Sequence, residues 1–533
     1  MSLAGILGLS GLVTPHVDYV SILPELILSV AALLMMLAAS LFRRAVPRGT
    51  WAISTAVVAA ASIGASWYLW DQVQHHGAHT AVNEAVAVDG FSVFFLMLIS
   101  VALALGALLA DDYLRREGLD GPEFYVLAML SAAGAMFLAV ANDLIVVFLG
   151  LETLSIALYV LAGYHLRRRE SSEAAIKYFV LGAFSSAVFL YGVALTYGAT
   201  GSTNLAKIGA FLAGNQVVDN GVLLAGMAML IVGLGFKVAA VPFHAWSPDV
   251  YQGAPTPVTG YMAAVAKAAG FAGLLRVLYS SFSLLRTDWQ PVITVLAALT
   301  LVVGAVAALV QTDIKRLMAY SSINHAGFVL VGLAAATSQG ISGALYYLFA
   351  YTFMVIGSFA VITLVGRQGD ARHRLEDYRG LARARPVLAA VFALLLFAQS
   401  GVPFTTGFLA KFSVISAAMQ ARSYPLAILA MLSAAVAAVY YLRVIFLMYA
   451  SAPEPSPELT TALAVSVAGG GPGVSLPSAG AGEPVDVLPV GDDGIAMPPA
   501  VLLVLGLCAA FTVAMGLWPD PIVDFARHAS LLF

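Results

Sequence analysis

Hydrophobic runs long enough to cross a lipid bilayer recur along the chain from residue 21 to residue 518. A helix needs about 20 apolar residues to cross a hydrocarbon core roughly 30 Å thick. The predicted spans, numbered 1 to 14, cover residues 21–42, 51–71, 89–112, 122–141, 143–164, 174–199, 221–243, 256–281, 290–311, 316–336, 341–365, 387–421, 424–450 and 498–518. This pattern predicts an all-α polytopic membrane protein with about fourteen transmembrane helices.

Spans 7 and 12 contain features that interrupt a helix. Span 12 would be roughly 52 Å long as one straight helix, so we expect a break near Pro403, which lacks a backbone donor. Span 7 ends with Lys237 five residues before Pro242, and both places contain Val-Pro-Phe, at 241–243 and 402–404. Broken helices at corresponding positions predict two five-helix repeats, spans 4–8 and 9–13. Five spans separate them, so the repeats should be inverted.

Positive charge is distributed unequally between alternate loops. One set of loops holds 16 Lys and Arg residues, whereas the other set, with the termini, holds 4. Because cytoplasmic loops carry an excess of Lys and Arg, we expect the first set to be cytoplasmic and both termini to lie on the outer side.

Residues 451–497 interrupt the hydrophobic pattern with Gly, Pro, Ser and acidic residues but no Lys or Arg. This composition predicts a flexible acidic linker on the cytoplasmic side. The predicted organisation is therefore 1–120 with spans 1–3, 121–285 with the first repeat, 286–450 with the second repeat, the linker 451–497, and 498–533 with span 14 and a C-terminal tail.

Composition narrows the classes of function. Hydrophobic residues make up 61% of the 533 residues and charged residues only 10%, compared with about 25% charged residues in a soluble domain. There is no basic tract for nucleic acid, and neither a phosphate-binding loop nor a dinucleotide fingerprint is present. A single cysteine, Cys508, excludes a cysteine-held iron–sulfur cluster within the chain. We therefore expect no redox cofactor, no nucleotide hydrolysis and no nucleic-acid partner.

Six cations fall inside the predicted spans, and among the acids only Glu152 lies near the middle of one. Each charge at a helix centre is unfavourable by about 3 kcal/mol on insertion scales, so packing alone would not select Glu152, Lys237, Lys267 and Lys411. A desolvated lysine releases its proton more readily and a nearby carboxylate restores its affinity, whereas arginine stays protonated. Lysine at these positions favours proton handling over a permanent salt bridge. We interpret Lys177 and Arg276 as side chains that reach the membrane surface.

Two histidines lie close to apolar spans. His325 falls inside span 10 among Ser321, Ser322 and Asn324, and His244 lies at the end of span 7. Histidine titrates near neutral pH, so either residue is a candidate proton relay, and His325 is a candidate link between the lysines. The alternative for both is a hydrogen-bonded structural histidine. The outer trio His75, His76 and His79 has metal-like spacing, but we interpret it as a solvated loop and predict no metal site.

Five stretches carry a resemblance to a known family. They are GLETLSIALYVLAGY (150–164), SEAAIKYFVLGAFSSAVFLYGVALTYGATGS (172–202), FKVAAVPFHAWSPDVYQGAPTPVT (236–259), QTDIKRLMAYSSINHAGFVLVG (311–332) and YRGLARARPVLAA (378–390). They resemble the antiporter-like subunits of proton-pumping NADH–quinone oxidoreductase, respiratory complex I. The stretch 172–202 and the lysine in span 12 are more similar to subunit N than to subunits L or M. The similarity covers about 90–450.

The resemblance implies a proton-translocating, membrane-arm role. It implies that Glu152 pairs with Lys237, that Lys267 is a central relay, that Lys411 is the terminal lysine, and that His325 lies on a hydrated axis. It also implies that NADH, FMN, iron–sulfur clusters and quinone bind to partner subunits. The implied partners are membrane-arm subunits, including M, J and K, in a bacterial inner or plasma membrane. The linker 451–497 is not a recognised feature of the family.

A second class of function stays open from the sequence. A subunit of a multisubunit cation/proton antiporter would share Glu152, Lys237 and Lys267. The amino-acid sequence of 172–202 and the presence of Lys411 favour the subunit of NADH–quinone oxidoreductase. A purely structural membrane scaffold is disfavoured by the four charges at mid-membrane positions.

Overall fold

The computed structural model describes residues 17–41, 47, 49–215, 220–450, 497–529 and 531. Twelve of its helices are long and apolar enough to cross a membrane. They form spans 1–6, 8–11, 13 and 14, and comprise Leu23–Leu41, Thr50–His76, Gly90–Arg116, Pro122–Val140, Leu144–Ala162, Arg169–Thr200, Thr256–Ser281, Ser283–Leu309, Ile314–Ala335, Ser338–Gly366, Tyr424–Tyr449 and Pro499–Leu517. The predicted all-α polytopic fold class is confirmed. Almost all of the predicted linker lies outside the described residues.

The two predicted spans that are missing from those twelve are the ones expected to be broken. Span 7 is helical only over Gly221–Lys237, and a short helix, Trp246–Gly253, follows the interruption. Span 12 consists of two helices of 15 residues each, Pro386–Ser400 and Thr406–Gln420. Each half is too short to cross the bilayer alone, so the chain crosses here with irregular backbone between the helical parts.

In the break of span 7, neighbouring groups satisfy the backbone atoms that the helix no longer pairs. Ala239 has a positive φ of 58°, which ends the helical path directly after Lys237. The Val241 N–H donates to Thr300 Oγ1 in span 9 at 2.9 Å, and the Phe236 carbonyl accepts from the Trp246 indole at 3.0 Å. Irregular backbone at membrane depth requires such partners, because lipid offers no hydrogen bonds.

The break in span 12 is built in a similar way. Gly401 has a φ of 92° and Phe404 a φ of 66°. The Val402 carbonyl accepts from Thr405 Oγ1 at 2.6 Å, and the Ser400 carbonyl accepts from Lys411 Nζ at 2.8 Å. A lysine is thus bound to one of the carbonyls freed by the break.

A similar backbone arrangement occurs at the start of span 5 and at the start of span 10. Asp143 caps span 5 and Asp313 caps span 10, and each aspartate pairs as an isolated β-bridge, with Asn204 and Arg374 respectively. In the first half Leu144 N donates to the Thr203 carbonyl and Leu205 N to the Asn142 carbonyl, both at 2.9 Å. In the second half two bonds of the same pattern link Ile314 N with the His373 carbonyl and Leu375 N with the Thr312 carbonyl. The inverted orientation of the two repeats stays a prediction.

Spans 8, 10 and 11 form the centre of the molecule. All residues of Thr256–Arg276 are buried, and so are almost all of spans 10 and 11. Spans 1 and 14, in contrast, are mostly exposed along their length. Two of the candidate relay residues, Lys267 and His325, therefore lie on helices that contact only protein.

The remaining elements lie outside the bilayer-crossing helices. A two-stranded antiparallel hairpin, His79–Ala81 with Val86–Val88, forms in the loop before span 3 and was not predicted. The short helix Leu205–Gly214 follows span 6. A C-terminal helix, Asp520–His528, packs Phe525 against the rings of Trp70 and Phe94.

Candidate functional site

Glu152 lies on span 5 at a partly exposed position and is bound by a hydroxyl from span 6. The Oγ of Ser186 donates a short hydrogen bond to its carboxylate. One helical turn further along span 5, Ser155 is buried, and its hydroxyl contacts Lys237 of span 7. Spans 5 and 6 therefore present a carboxylate and several hydroxyl groups to the end of the helix that carries Lys237.

Lys237 is the last residue of its helix and its side chain is buried. Its Nζ donates to Ser155 Oγ at 2.8 Å and to Tyr178 OH at 3.3 Å. Among the ion pairs of the described residues, none joins Lys237 to Glu152 directly. Instead, a small cavity of about 10 Å³ is lined by Lys237, Ser155 and Ser186, the last of which binds Glu152. Lys237 and Glu152 are thus bound to two different serines of this cavity, Ser155 and Ser186.

A series of aromatic rings leads from Lys237 toward the centre of the molecule. Tyr178 stacks on Trp246 with ring centroids 4.6 Å apart, and the Trp246 and Tyr251 rings are 6.4 Å apart. The Tyr251 hydroxyl lies 3.4 Å from Ser322 Oγ. Tyr251 belongs to the short helix that follows the break in span 7, so the break places this hydroxyl beside span 10.

Lys267 contacts span 10 at Ser322, the serine that also lies beside Tyr251. Its buried Nζ donates a short hydrogen bond to the backbone carbonyl of Ser322, and Tyr351 OH donates to the hydroxyl of Ser322 at 2.7 Å. Among the described residues no carboxylate forms an ion pair with Lys267. A backbone carbonyl can bind the ammonium or the neutral amine, so this contact does not fix one protonation state.

His325 lies one helical turn beyond Ser322 and is bound at both ring nitrogens. Tyr347 OH is 2.7 Å from Nδ1, and Tyr441 OH is 3.0 Å from Nε2. Tyr441 also contacts Ser321 at 2.5 Å and Gln399 at 3.4 Å. The imidazole therefore joins spans 11 and 13 through hydroxyl groups that can each donate and accept a hydrogen bond.

Lys411 occupies the end of this polar axis, in the second half of span 12. Its Nζ is buried, donates to the Ser400 carbonyl at 2.8 Å and lies 4.9 Å from the centre of the Phe328 ring. Gln399, next to Ser400 in the chain, contacts Tyr441, which is also the partner of His325.

Of the six predicted site residues, the structure buries Lys237, Lys267, His325 and Lys411 in one polar region, and Glu152 lies partly exposed near Lys237. His244 is separate: it follows the break in span 7 and is half-buried. Its Nδ1 has no hydrogen-bond partner among the residues that the structure describes. The tyrosines 178, 251, 351 and 441 were not predicted, because buried aromatic residues in apolar spans give no separate signal in the sequence.

One interpretation from the sequence was wrong. Arg276 does not reach the membrane surface: its side chain is fully buried, and its guanidinium binds both oxygens of the equally buried Asp89. Asp89 also caps span 3 by accepting from Ser92 N at 2.8 Å. The two residues are 187 positions apart, so the sequence pattern could not pair them. Lys177, with 42% of its side chain exposed, binds Glu173 and Asp249, as its interpretation implies.

A second buried cluster lies in the loop between spans 11 and 12. The fully buried Asp370 accepts from Tyr113 OH at 3.1 Å, from the Arg168 guanidinium at 2.9 Å and from Thr256 Oγ1 at 3.0 Å. Burial would raise the pKa of Asp370, but the positive charges of Lys315 and Arg168 and the hydrogen bond from Thr256 hold it below its usual value. One carboxylate therefore connects the ends of spans 3, 8 and 10.

His373 is part of the same cluster. Burial lowers the pKa of His373 to about 3, assisted by the positive charge of Lys315. The imidazole is neutral at physiological pH and lies 3.8 Å from Asp370.

Comparison with known proteins gives a consistent result. The family model described as "NADH:quinone oxidoreductase/Mrp antiporter, TM" matches residues 141–437. A NADH-quinone oxidoreductase subunit N from Acidothermus cellulolyticus is 41% identical, over 97% of this chain and 96% of its own length. The corresponding protein from Trichlorobacter lovleyi is 45% identical, over 73% of this chain and 82% of its own length.

Solved structures resemble this chain over almost its whole length. A chain of respiratory complex I from Thermus thermophilus, solved with bound aureothin, has a TM-score of 0.74 at 30% identity and covers 95% of this chain and 100% of its own. A chain of the Mrp complex from a Dietzia species has a TM-score of 0.79 at 21% identity, covering 96% and 97%. The second likeness concerns the fold alone.

Proposed function

This chain belongs to the NADH:quinone oxidoreductase/Mrp antiporter family, within which its relatives are subunit N, and from that premise we propose that it translocates protons along the buried axis from Glu152 to Lys411. It is an antiporter-like membrane-arm subunit of NADH–quinone oxidoreductase. In this proposal the energy comes from quinone reduction elsewhere in the complex. The chain itself holds and moves protons.

The observation that carries the proposal is the presence of hydroxyl groups between the proton-binding side chains. Lys237 contacts the hydroxyls of Ser155 and Tyr178, and His325 contacts those of two tyrosines. Lys267 binds the backbone carbonyl of Ser322, whose own hydroxyl accepts from Tyr351. A hydroxyl donates and accepts at the same time, so it can bind the proton-carrying form of one neighbour and the empty form of the next. A static salt bridge would need a carboxylate beside each lysine.

Glu152 and Lys237 act in this scheme as a separable pair. The cavity between Ser155 and Ser186 lets the ammonium of Lys237 approach the carboxylate or turn toward Tyr178. Approach of the carboxylate favours the charged lysine, and withdrawal favours release of its proton. Lys267, His325 and Lys411 then receive the proton in turn.

The proposal includes a setting for the chain. It lies in the bacterial inner or plasma membrane with both termini outside, next to other membrane-arm subunits such as M, J and K. NADH, FMN, iron–sulfur clusters and quinone are bound by partner subunits, and none is expected in this chain. The cation/proton antiporter alternative has weaker support, because the likeness to the Mrp chain concerns the fold whereas the relatives at 41–45% identity are subunit N.

The decisive test of the proposed function is Lys237→Ala in the assembled complex. Inside-out membrane vesicles energised with NADH should show dye quenching reduced to near the background of vesicles without the subunit. A native gel should show normal assembly. Lys177→Ala is the matched control: it removes a half-exposed lysine of span 6 that forms ion pairs with Glu173 and Asp249, and pumping should be retained. Normal pumping by Lys237→Ala would rule out the axis.

A further inference from the structure

Span 14 lies against the break in span 12 at a single glycine. A methyl group on Gly516 would overlap the carbonyl oxygen of Phe404 and lie 2.6 Å from Cα of Thr405. Both atoms belong to the backbone, so no side chain could move aside to make room. The contact requires a residue without Cβ at this end of span 14.

Span 11 holds span 14 in this position. Phe511 stacks on Phe353 with ring centroids 3.8 Å apart, and Tyr346 OH donates to the Met515 carbonyl at 3.3 Å. Cys508 packs closely on Gly357, where a methyl group would lie 2.9 Å from its Cβ. These three contacts all join span 14 to the helix that also carries Tyr347 and Tyr351 of the polar axis.

The backbone beside Gly516 has a conformation that needs support. Phe404 has a φ of 66°, in the left-handed region that bulky residues rarely adopt. Such a conformation persists only when the surroundings determine it. The Phe404 side chain is 75% exposed and therefore makes few contacts that could hold it. The close surface of span 14, together with the Thr405 hydroxyl bound to the Val402 carbonyl, supplies the constraint.

The break in turn decides where the amine of Lys411 lies. Lys411 Nζ donates to the Ser400 carbonyl, at the other edge of the break. A methyl group on Gly401 would lie 3.1 Å from Lys411 Cδ, so the lysine stem runs along the broken backbone. A displacement of residues 401–405 would carry the acceptor of Lys411 with it.

We infer that Gly516 is a positioning residue: span 14 braces the break of span 12 and thereby sets the position of Lys411. The inference rests on the proposed function, because it assigns to span 14 a role in the same proton path. It predicts that crowding at Gly516 disturbs proton transfer at Lys411 although Gly516 itself binds no proton.

The test uses the whole complex in NADH-energised inside-out vesicles. Gly516→Ala should lower the rate and yield of proton pumping, the rate by about fivefold, the size expected from a small overpacking strain, and should shift the pH profile of pumping. Gly506→Ala is the matched control, because Gly506 lies on the same helix with no atom within 4 Å of an added methyl group. It should leave both the yield and the pH profile unchanged.

A second measurement separates a disturbed brace from poor folding. The amount of assembled complex is read from a native gel, and pumping is expressed per assembled complex. Gly516→Ala should pump less per assembled complex and show the shifted pH profile. A loss of pumping that only follows the loss of assembled complex, or unchanged pumping and pH profile in Gly516→Ala, would overturn the inference. Lys411→Ala in the same experiment tests the proposed function: if it pumps normally the proton path is wrong, whereas its failure beside a normal Gly516→Ala rejects only the brace.

Discussion

Lys237 Nζ is bound to Ser155 Oγ at 2.8 Å, one helical turn from Glu152 on the same helix. The lysine and the carboxylate that the family resemblance pairs directly are thus separated by hydroxyl groups and a small cavity. This separation suits a cycle of approach and withdrawal better than a permanent ion pair would, because a closed salt bridge would hold the proton on the lysine.

The first prediction concerns that separable pair. Glu152→Gln should assemble but lose at least about tenfold in pumping, since hydrogen bonds to charged groups contribute roughly 1.5–3 kcal/mol and the proton on Lys237 would lose its nearby anion. Glu152→Asp should retain part of the activity. Dye quenching in NADH-energised vesicles measures the effect, and Thr153→Ala, at the exposed neighbouring position, is the control. Full pumping by Glu152→Gln would remove this carboxylate from the path.

The second prediction concerns the buried pair of Asp89 and Arg276. Asp89→Asn keeps an oxygen to cap span 3 but leaves a buried guanidinium without its counter-charge, which destabilises by about 3–5 kcal/mol. We expect little assembled complex on a native gel. The double variant Asp89→Asn/Arg276→Gln removes both charges and should recover assembly.

The control for this pair is Glu173→Gln, which breaks an exposed contact with Lys177 that contributes about 0–1 kcal/mol. It should assemble normally. If Asp89→Asn assembles as well as Glu173→Gln does, the buried pair is not important for stability.

The third prediction is a pH dependence that arises in the loop between spans 11 and 12. His373 has a pKa of about 3 in the folded chain, compared with about 6.5 when unfolded. Below pH 6.5 the unfolded state therefore binds the additional proton, and stability falls with decreasing pH, by up to about 1.4 kcal/mol per pH unit. Asp370 should add its own loss only near and below about pH 4, because its lowered pKa makes it titrate later than in the unfolded chain.

Thermal release of the chain from the purified complex, followed on native gels between pH 7 and pH 4.5, measures this dependence. His373→Gln should flatten it, whereas His76→Gln, at the exposed last residue of span 2, should not. An unchanged slope in His373→Gln would show that the acid sensitivity arises elsewhere.

The sequence predicted the spans well because each is a long apolar run, and it predicted both breaks because Pro242 and Pro403 remove backbone donors within such runs. It identified the mid-span charges for a similar reason: a charge is conspicuous in an apolar context. It missed contacts between residues far apart in the chain, such as Arg276 with Asp89 and Asp370 with Tyr113. It also missed the relay tyrosines, because a buried tyrosine in an apolar span looks like a packing residue until its hydroxyl partner is located.

The central claim is that buried lysines of this chain take up and release protons, and Lys411 tests it most directly. Its Nζ binds a backbone carbonyl, and it has no carboxylate ion-pair partner among the described residues. A fixed positive charge could be supplied by arginine, which keeps its proton at physiological pH, whereas a proton carrier could not. The measurement is proton pumping by assembled Lys411→Arg and Lys411→Ala complexes in NADH-energised inside-out vesicles, alongside the quinone reductase rate. The account predicts that both variants lose pumping. Robust pumping by an assembled Lys411→Arg complex would contradict it.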